Sequence, residues 1–441
     1  MRRLSIVIAA TFGLLVLAIA GVGSGLVAIP GAATAGPVAA ASPTPSPALP
    51  APTPTPSPTP EPTPTVPPPI PRPTGLDAPG VAERLQAALD AGRIALAAPG
   101  MQASVVFPDG RVWTGVSGVA DLATGRPLAL DTPFAIASIS KTFLAADVLL
   151  LVDEGSLALD DVVARLLPKT RVGGAAIDPR ITIRMLLDHT SGLGDYLSST
   201  KLDAAVRADP LAVWTPDQAL AYARRPVAAP GQGYHYANTN YVLLGLIVEQ
   251  TTGQTLAAEL RARFFEPLGL ASASYQGLEP PAAELPTAYR YSSIKLEAQP
   301  RDVTDGTAIR PFTSITTATG AAGSLAMSAA DLARWGHALY GGDVLPPDLL
   351  ELMIDDAAVT RTLSPAYPYG LGVQAFTIDR RTTYGHSGRL VGARSILRWF
   401  PVEGIGIAIV TNQSRFDATP ILVDLLRIVA PHERIPSARH G

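Results

Sequence analysis

A proline-rich segment near the N-terminus determines where the folded part of this chain can begin. Residues 42–73 are about half proline, with Ser and Thr between the prolines. Proline locks φ and lacks a backbone N–H, so this segment cannot join a sheet or a packed helix and should form an extended polyproline II spacer. At about 3.1 Å per residue it would reach roughly 100 Å. The sequence therefore predicts a linker at 36–75, acting as a tether or as a ligand for a partner, and a folded domain at 76–436.

The residues before the linker predict export. Two arginines, Arg2 and Arg3, precede an uncharged stretch at 4–29 that is long enough to span a bilayer. Small residues follow, and ATA at 33–35 matches an A-x-A cleavage site. A cleaved signal peptide and an uncleaved membrane anchor at 1–35 both remain open, and the length of the apolar stretch favours the anchor. We therefore expect a location at the cell envelope or outside the cell.

Composition excludes several classes of function. The formal net charge is −3, and the charged residues, 16% of the 441, are scattered, so we expect no nucleic-acid partner. Cysteine is absent, which removes disulfides, thiolate nucleophiles and cysteine-ligated metal sites. The six histidines form no H-E-x-x-H pattern, and we expect neither a metal nor a cofactor.

Strand-like patterns lie at both ends of the domain, with helix-like patterns between them. Residues 101–120 alternate apolar and polar side chains around a Pro-Asp-Gly turn, which predicts a β-hairpin. Further strands are predicted at 369–378, 392–400 and 404–412. The sequence thus predicts an α/β (α+β) fold: an antiparallel sheet formed by the N- and C-terminal segments, flanked by helices, with a mostly helical region inserted at about 156–325. A site is expected in the cleft between sheet and insert.

Several helices are predicted from apolar periodicity and from the signals at their ends. Gly155 is a favourable C-cap for the apolar run before it, while Ser328 and Asp331 form a capping pattern. The predicted helices cover 141–154, 183–189, 215–225, 241–253, 328–340 and 419–429.

Three serine–lysine pairs have the spacing S-x-x-K, in which a lysine can act on a serine hydroxyl. They are Ser138 with Lys141, Ser198 with Lys201, and Ser292 with Lys295. The spacing alone decides nothing, and only the first pair opens a long apolar helical run. There the lysine would lie one turn from the serine, and burial would favour the neutral amine that can take the hydroxyl proton. The alternative, a serine that caps the helix and a solvated lysine, remains open.

Two further fragments could complete such a site. Tyr236 and Asn238, in Y-A-N before an apolar run, supply a phenol that can relay a proton and an amide that can bind substrate. The alternative is an asparagine that caps a helix from Tyr241. His386, in GHSG, is either a cation or proton donor near the cleft or a turn residue. The nucleophile elbow G-x-S-x-G is not completed there, because Arg389 occupies the last glycine position.

Together and in this order, the three fragments resemble the serine β-lactamase and penicillin-binding protein superfamily. S-I-S-K resembles its first motif, Y-A-N its second and H-S-G its third. Two more stretches, LLDHTSGL at 186–193 and GAAGSLAMSAADLARW at 320–335, extend the resemblance over about 80–430. The similar branch is that of class C β-lactamases, which also includes D-alanyl-D-alanine carboxypeptidases, D-amino-acid amidases and esterases.

The resemblance implies roles for particular residues. Ser138 would be acylated, while Lys141 and Tyr236 would share the general base and general acid work. The backbone N–H groups of Ser138 and Arg389 would bind the oxyanion. The residues that would bind substrate are Asn238, His386, Ser387 and Gly388.

One departure from the family pattern bears on the substrate. β-Lactamases usually begin the third motif with lysine, whereas His386 stands here, which is more similar to certain secreted carboxypeptidases and esterases of the family. This departure counts against efficient hydrolysis of β-lactams, although a β-lactam stays among the open substrates. Asp188 and His189 match a family loop and are interpreted as structural.

The predicted function is that of an exported serine hydrolase acting through an acyl-enzyme on an amide or ester of a small molecule or peptide, with D,D-carboxypeptidase-like, esterase-like and β-lactamase-like activities left open. The alternative is a penicillin-binding sensor that is acylated without efficient turnover, because the same residues would form its acyl-enzyme. The sequence leaves open the substrate, the choice of Lys141 or Tyr236 as the base, and the oligomeric state. Membrane contact is expected only through an uncleaved N-terminal segment.

Overall fold

The described part of the protein begins just after the proline-rich segment. The computed structural model describes residues 74–431, except 294, 296, 297, 367 and 416 and the side chains of 358 and 359. The predicted N-terminal segment at 1–35 and nearly all of the predicted linker at 36–75 lie outside the described residues.

The helices of the described residues vary from one turn to nearly five turns. They are α1 (Val81–Ala95), α2 (Ser140–Asp153), α3 (Val163–Leu166), α4 (Ile183–Leu187), α5 (Thr200–Ala208), α6 (Pro216–Leu220), α7 (Asn238–Thr252), α8 (Leu256–Leu260), α9 (Thr313–Thr319), α10 (Ala329–Gly341), α11 (Pro347–Leu363) and α12 (Thr419–Val429). None of them combines the length and the apolar content needed to cross a membrane.

The strands fall into one large sheet and several small ones. They are β1 (Gly100–Val106), β2 (Val112–Gly118), β3 (Phe134–Ala135), β4 (Arg171–Val172), β5 (Ala175–Ala176), β6 (Ser274–Tyr275), β7 (Tyr289–Tyr291), β8 (Pro300–Asp302), β9 (Leu325–Met327), β10 (Gln374–Ile378), β11 (Arg381–Leu390), β12 (Ala393–Phe400) and β13 (Ile405–Thr411).

The large sheet joins the two ends of the domain. Its six strands lie in the order β10-β11-β12-β13-β1-β2, and all neighbours are antiparallel. The N-terminal hairpin enters through β1, which pairs with β13 from Met101 opposite Thr411 to Val106 opposite Gly406. The predicted fold class, an antiparallel sheet of N- and C-terminal segments flanked by helices, is therefore confirmed.

Both faces of the sheet are covered. On the outer face, α1 and α12 bury residues such as Leu85 and Leu422 against alternate side chains of β13, including Ile407. On the inner face, Leu397 and Ala408 belong to a second core with α2, α7 and α10. Burial on both faces explains why β13 is an almost continuous apolar run.

The start of α2 is fixed from the side of α10. The Trp335 ring stacks on Phe143 with centroids 3.8 Å apart, and its Nε1 donates to Thr142 Oγ1 at 2.8 Å. Since α2 is buried along nearly its whole length, including Lys141, its position relative to the sheet is closely determined.

Some sequence-based boundaries were wrong. The helix predicted at 215–225 ends at Leu220, and the strand predicted at 369–378 begins only at Gln374. The segment around His386, expected to lie between strands, is itself part of the ten-residue strand β11. Short strands, among them β4, β5, β7 and β8, lie within the region predicted as mostly helical at 156–325.

Candidate active site

Ser138 lies on a short 3-10 turn, Ala137–Ile139, that leads into α2. The helix itself starts at Ser140, and no side chain caps its first N–H groups. The alternative in which Ser138 caps the helix is therefore wrong. Ala137 has φ 49, a left-handed conformation that is costly for a residue with a side chain. The turn leaves Ser138 partly exposed among buried neighbours.

Lys141 points at Ser138 from one turn along the same segment. Its Nζ lies 3.1 Å from Ser138 Oγ, 2.9 Å from Asn238 Oδ1 and 2.6 Å from the carbonyl oxygen of Ala322. The side chain is fully buried, and this burial lowers its pKa to about 7, while the charge of Asp195 acts in the opposite direction. Much of the amine is therefore neutral near pH 7.

The partners of Lys141 determine where its lone pair points. A neutral amine has two N–H groups, which the oxygens of Asn238 and Ala322 can accept. The lone pair then faces the hydroxyl of Ser138, 3.1 Å away. The arrangement can thus remove the hydroxyl proton.

Tyr236 lies against the same serine. Its hydroxyl is hydrogen-bonded to the side chain of Ser138, and its ring centroid is 5.1 Å from Lys141 Nζ. Burial raises the pKa of Tyr236 above its ordinary value, so the phenol stays protonated at neutral pH. A protonated phenol at this place can donate to an atom bonded to the serine.

His189 supports the second motif, as its structural interpretation predicted. Its ring lies 4.2 Å from the Tyr236 ring, centroid to centroid. Its Nδ1 accepts from the Ala237 N–H at 3.3 Å and from Asn240 Nδ2 at 2.9 Å. Burial holds the pKa of His189 well below its ordinary range, so the ring is neutral.

Asn238 is the first residue of α7, and its side chain caps nothing. The alternative of a helix cap is wrong at this position as well. Its Oδ1 faces Lys141, and its Nδ2 donates to both carboxylate oxygens of Asp195 at 3.3 Å. Asp195 was missed in the sequence, where a single aspartate after a glycine carries no motif of its own.

His386 is neutral in the structure, whereas a cation was one of the roles considered from the sequence. Its Nδ1 donates to the Ser387 carbonyl at 2.7 Å, and its Nε2 lies 2.9 Å from the Tyr369 hydroxyl. Burial and the nearby charge of Lys141 hold the pKa of His386 well below its ordinary range, so the ring is neutral. Since Nδ1 carries the ring proton, Nε2 accepts from Tyr369, a partner that the sequence did not indicate.

The third motif places a backbone donor at the edge of β11, beyond the end of β10. The ladder between β10 and β11 ends where Gln374 faces Gly385, and the Ser387 N–H donates to Gln374 Oε1 at 3.1 Å. N–H groups alternate sides along a strand, so the N–H of Arg389 points to the same edge, beyond the end of β10. Gly388 has no room for a side chain, because a Cβ would lie 2.1 Å from the carbonyl oxygen of Ile136.

A buried guanidinium lies under this motif. Arg398, on β12, donates from one terminal nitrogen to Gln374 Oε1 at 2.8 Å and to Ser387 Oγ at 3.0 Å. Its pKa is lowered to about 10 by burial, and it remains charged at neutral pH. It holds the Ser387 hydroxyl in place from beneath the third motif.

The structure brings the predicted residues together in two groups. Ser138, Lys141, Tyr236 and Asn238 form one hydrogen-bonded cluster. The stretch from His386 to Arg389 lies on β11, against which the turn of Ser138 packs. In the described residues, no cluster of histidine and carboxylate side chains is suited to hold a metal ion.

Comparison with known proteins identifies the family. A family profile described as Beta-lactamase matches residues 83–427, which is more than half of the chain. The chain belongs to the beta-lactamase family. The matched segment contains all the site residues predicted from the sequence.

Relatives within this family carry different names. Penicillin-binding protein 4 of Amycolatopsis lactamdurans is 32% identical over 74% of this chain and 83% of its own length. An esterase, EstB of Burkholderia gladioli, is 36% identical over 48% of this chain and 56% of its own length. A solved structure of a D-stereospecific amidohydrolase from Streptomyces sp. is 29% identical, covers 77% of this chain and 97% of its own, and has a TM-score of 0.65. The protein is therefore a serine hydrolase of the beta-lactamase family.

Proposed function

We propose that the protein is an exported serine hydrolase that cleaves an amide or ester through an acyl-enzyme on Ser138. One observation carries the proposal: a fully buried lysine amine lies 3.1 Å from the hydroxyl of a partly exposed serine. A serine is a weak nucleophile at neutral pH unless an adjacent base takes its proton. Lys141 is placed to be that base.

The proposed reaction starts with proton transfer from Ser138 to Lys141 as Oγ bonds to the substrate carbonyl carbon. The N–H groups of Ser138 and Arg389 bind the oxyanion. The tetrahedral adduct then breaks its C–N or C–O bond, and the leaving amine or alcohol takes a proton from the hydroxyl of Tyr236, which receives in turn the proton that Lys141 took from Ser138. A water molecule next attacks the acyl ester as Lys141 takes its proton, the acid leaves, and Lys141 returns this proton to Ser138 Oγ.

Their opposite pKa shifts support Lys141 as the base and Tyr236 as the acid. Burial favours the neutral form of each group, which for lysine is the form that accepts a proton and for tyrosine the form that donates one. The pKa of Lys141 is about 7, whereas that of Tyr236 lies above 10.0. At neutral pH both groups are therefore present in the form that the first half-reaction needs.

The proposed substrates are uncharged or peptidic carbonyl compounds, and the neutral His386 supports this class. No cation stands at the position where β-lactamases usually carry lysine. The esterase and D-stereospecific amidohydrolase names of two relatives point to an ester or to an amide with a D-configured acyl group. We propose that this substrate is met outside the membrane, at the cell envelope.

The test compares purified protein with Ser138→Ala on four substrates: a p-nitrophenyl ester, a D-amino-acid amide, a peptide ending in D-alanyl-D-alanine and a chromogenic cephalosporin. We expect turnover of an ester or amide and much slower turnover of the cephalosporin. Loss of all turnover in Ser138→Ala is expected. Turnover that survives in the variant contradicts the proposal.

The sensor alternative differs in how long the acyl group stays on the protein. Mass spectrometry after mixing with each substrate measures the adduct over time. An adduct that disappears at the rate of turnover supports the hydrolase. An adduct that persists for hours, with no product beyond one equivalent, would reject the hydrolase proposal and support the sensor alternative.

Export is tested separately in cells. Fractionation of cells that produce the full chain should place it in the membrane or outside the cell, and the intact mass reports whether 1–35 has been removed. A protein found only in the cytoplasm with its full mass contradicts this part of the proposal.

A further inference from the structure

Asp195 lies on the opposite side of the Asn238 amide from the amine of Lys141. It precedes the 3-10 turn Tyr196–Ser198, and one of its oxygens accepts from the Leu197 N–H at 3.2 Å. The same oxygen accepts from the backbone N–H of Asn238 at 3.0 Å. The side-chain Nδ2 of Asn238 lies 3.3 Å from each carboxylate oxygen.

These contacts determine which way the Asn238 amide faces. Its Nδ2 donates to Asp195, so its Oδ1 is left for Lys141 Nζ, at 2.9 Å. The reversed amide would bring an oxygen against the carboxylate, which is repulsive, and an N–H₂ group against Lys141 Nζ, where it repels the ammonium form and competes with Ser138 for the lone pair of the neutral amine. One orientation of Asn238 is therefore strongly preferred as long as Asp195 is present.

The carboxylate also acts on the charge of Lys141. The titratable groups that face or act on this amine in the described residues are Asp195, Tyr236, Tyr241, His189 and His386. Burial keeps both histidines and both tyrosines uncharged. Asp195 is the carboxylate among them, and its charge favours the ammonium form of Lys141 against the effect of burial.

We propose that Asp195 is a positioning residue, which through Asn238 directs an amide oxygen at the amine of Lys141 and determines the pH at which this amine becomes a base. The inference rests on the proposed role of Lys141 as the base. The carboxylate of Asp195 is hydrogen-bonded to Leu197 and Asn238, and it acts on the site through Asn238 and through its charge.

Two substitutions separate these two effects. Asp195→Asn removes the charge but retains an oxygen that can accept from Asn238 and Leu197. Asp195→Ala removes the charge and the acceptor together. Asp203→Asn is the matched control, because Asp203 is an exposed aspartate of α5 that pairs with Arg207. Circular dichroism and thermal melting establish that each variant is folded.

The direct readout is the titration of Lys141 itself. The chain has only four lysines, at positions 141, 169, 201 and 295. Selective isotope labelling of the lysine side chains therefore gives an NMR spectrum with few signals, and Lys141→Met identifies the signal of the buried one. In wild type we expect its midpoint near pH 7.

In Asp195→Asn the midpoint should move to lower pH, by roughly one unit, because the ammonium form has lost its nearest opposite charge. The acidic limb of kcat/KM for a p-nitrophenyl ester should move by the same amount. Asp195→Ala should show this shift and, in addition, a kcat lower by about tenfold, since the amide of Asn238 is free to turn. Asp203→Asn should leave both quantities unchanged.

A folded Asp195→Asn protein with an unchanged Lys141 midpoint and an unchanged acidic limb would overturn the inference. So would an Asp195→Ala variant with the kcat of Asp195→Asn, since the carboxylate would then have no role in orienting the amide. The NMR titration needs no turnover. A shifted midpoint in a protein without hydrolase activity would therefore reject the proposed function and retain the electrostatic role of Asp195.

Discussion

Two of the three serine–lysine pairs with S-x-x-K spacing in this protein have opposite surroundings. Ser138 stands before α2 with Lys141 fully buried, and the two polar atoms are 3.1 Å apart. Ser198 closes the turn before α5, its hydroxyl donates to the carbonyl oxygen of Asp195 at 2.7 Å, and Lys201 is exposed. Only the first lysine is in a setting that makes its amine a base near neutral pH.

The difference lies in the helices rather than in the motif. α2 is buried along nearly its whole length and packs against α7 and α8, so a lysine in its first turn is desolvated. α5 is amphipathic, with Leu202 and Val206 buried and its charged residues in water. Desolvation disfavours the ammonium form of Lys141, whereas Lys201 is exposed to water. The same four-residue spacing therefore places a candidate catalytic base beside the serine that precedes α2 and a surface lysine after the serine that precedes α5.

The strongest test of the difference between the two lysines is to replace each of them in turn. Lys141→Met should lower kcat/KM for an ester substrate by about 10³-fold, because general base catalysis at the serine is lost. Lys201→Met, the matched control on α5, should retain the wild-type value. Equal effects of the two substitutions, measured in steady-state assays on folded proteins, would contradict the account.

The pH dependence of the wild-type enzyme tests whether Lys141 is the titrating base. Lys141 must lose its proton to act, and its pKa is about 7, so kcat/KM should fall about tenfold for each pH unit below that value. Burial raises the pKa of Tyr236, so its phenol stays protonated throughout the neutral range and should not change the slope of the pH–rate profile there. The measurement is a pH–rate profile from pH 5 to 9, and a flat profile across pH 7 would exclude Lys141 as the titrating base.

Stability should also depend on pH through Lys141. Between pH 7 and 10.5 the unfolded chain binds a proton that the folded protein has lost, so the free energy of unfolding rises with pH in this window, by at most about 1.4 kcal/mol per unit. Below pH 7 both states carry the proton and this contribution to the slope vanishes. Urea unfolding at pH 7, 8 and 9 should show the slope in wild type and Lys201→Met and a smaller slope in Lys141→Met. An unchanged slope in Lys141→Met would show that the folded lysine has an ordinary pKa.

A smaller effect is expected at the third motif. Tyr369→Phe removes the donor to His386 Nε2, and the loss of one such hydrogen bond should lower kcat/KM by about fivefold. Tyr340→Phe is the control, because the buried hydroxyl of Tyr340 has no hydrogen-bond partner in the described residues. Kinetics and melting temperatures of both variants test this, and a larger loss in Tyr340→Phe would reject the role of Tyr369.

Much of the fold followed from the sequence because its signals are local. The hairpin of β1 and β2, the capping of α10 by Ser328 and the runs of β12 and β13 lie close to their predicted places. Strand β11 was missed because Gly385 and Gly388, which are required by close backbone contacts, weaken a strand pattern. Helix α1 was not predicted either, although Leu85 and Leu89 are buried at helical spacing.

The candidate site was predictable only in part. Its motif residues were found in order, whereas Asp195 and Tyr369 were missed because they join the site through contacts with partners 43 and 17 positions away in the chain. The orientation of the Asn238 amide and the neutral state of His386 depend on burial and on several partners at once. A pattern of residue types along one chain does not specify such contacts.

The most direct test of the central claim is covalent labelling of the serine. The folded protein is treated with a fluorophosphonate or a labelled penicillin, digested, and mapped by mass spectrometry, with Ser138→Ala as control. The account predicts one added group, on the peptide that contains Ser138, and none on the variant. An adduct at Ser198 or Ser292, or no adduct with either reagent on folded protein, would contradict it.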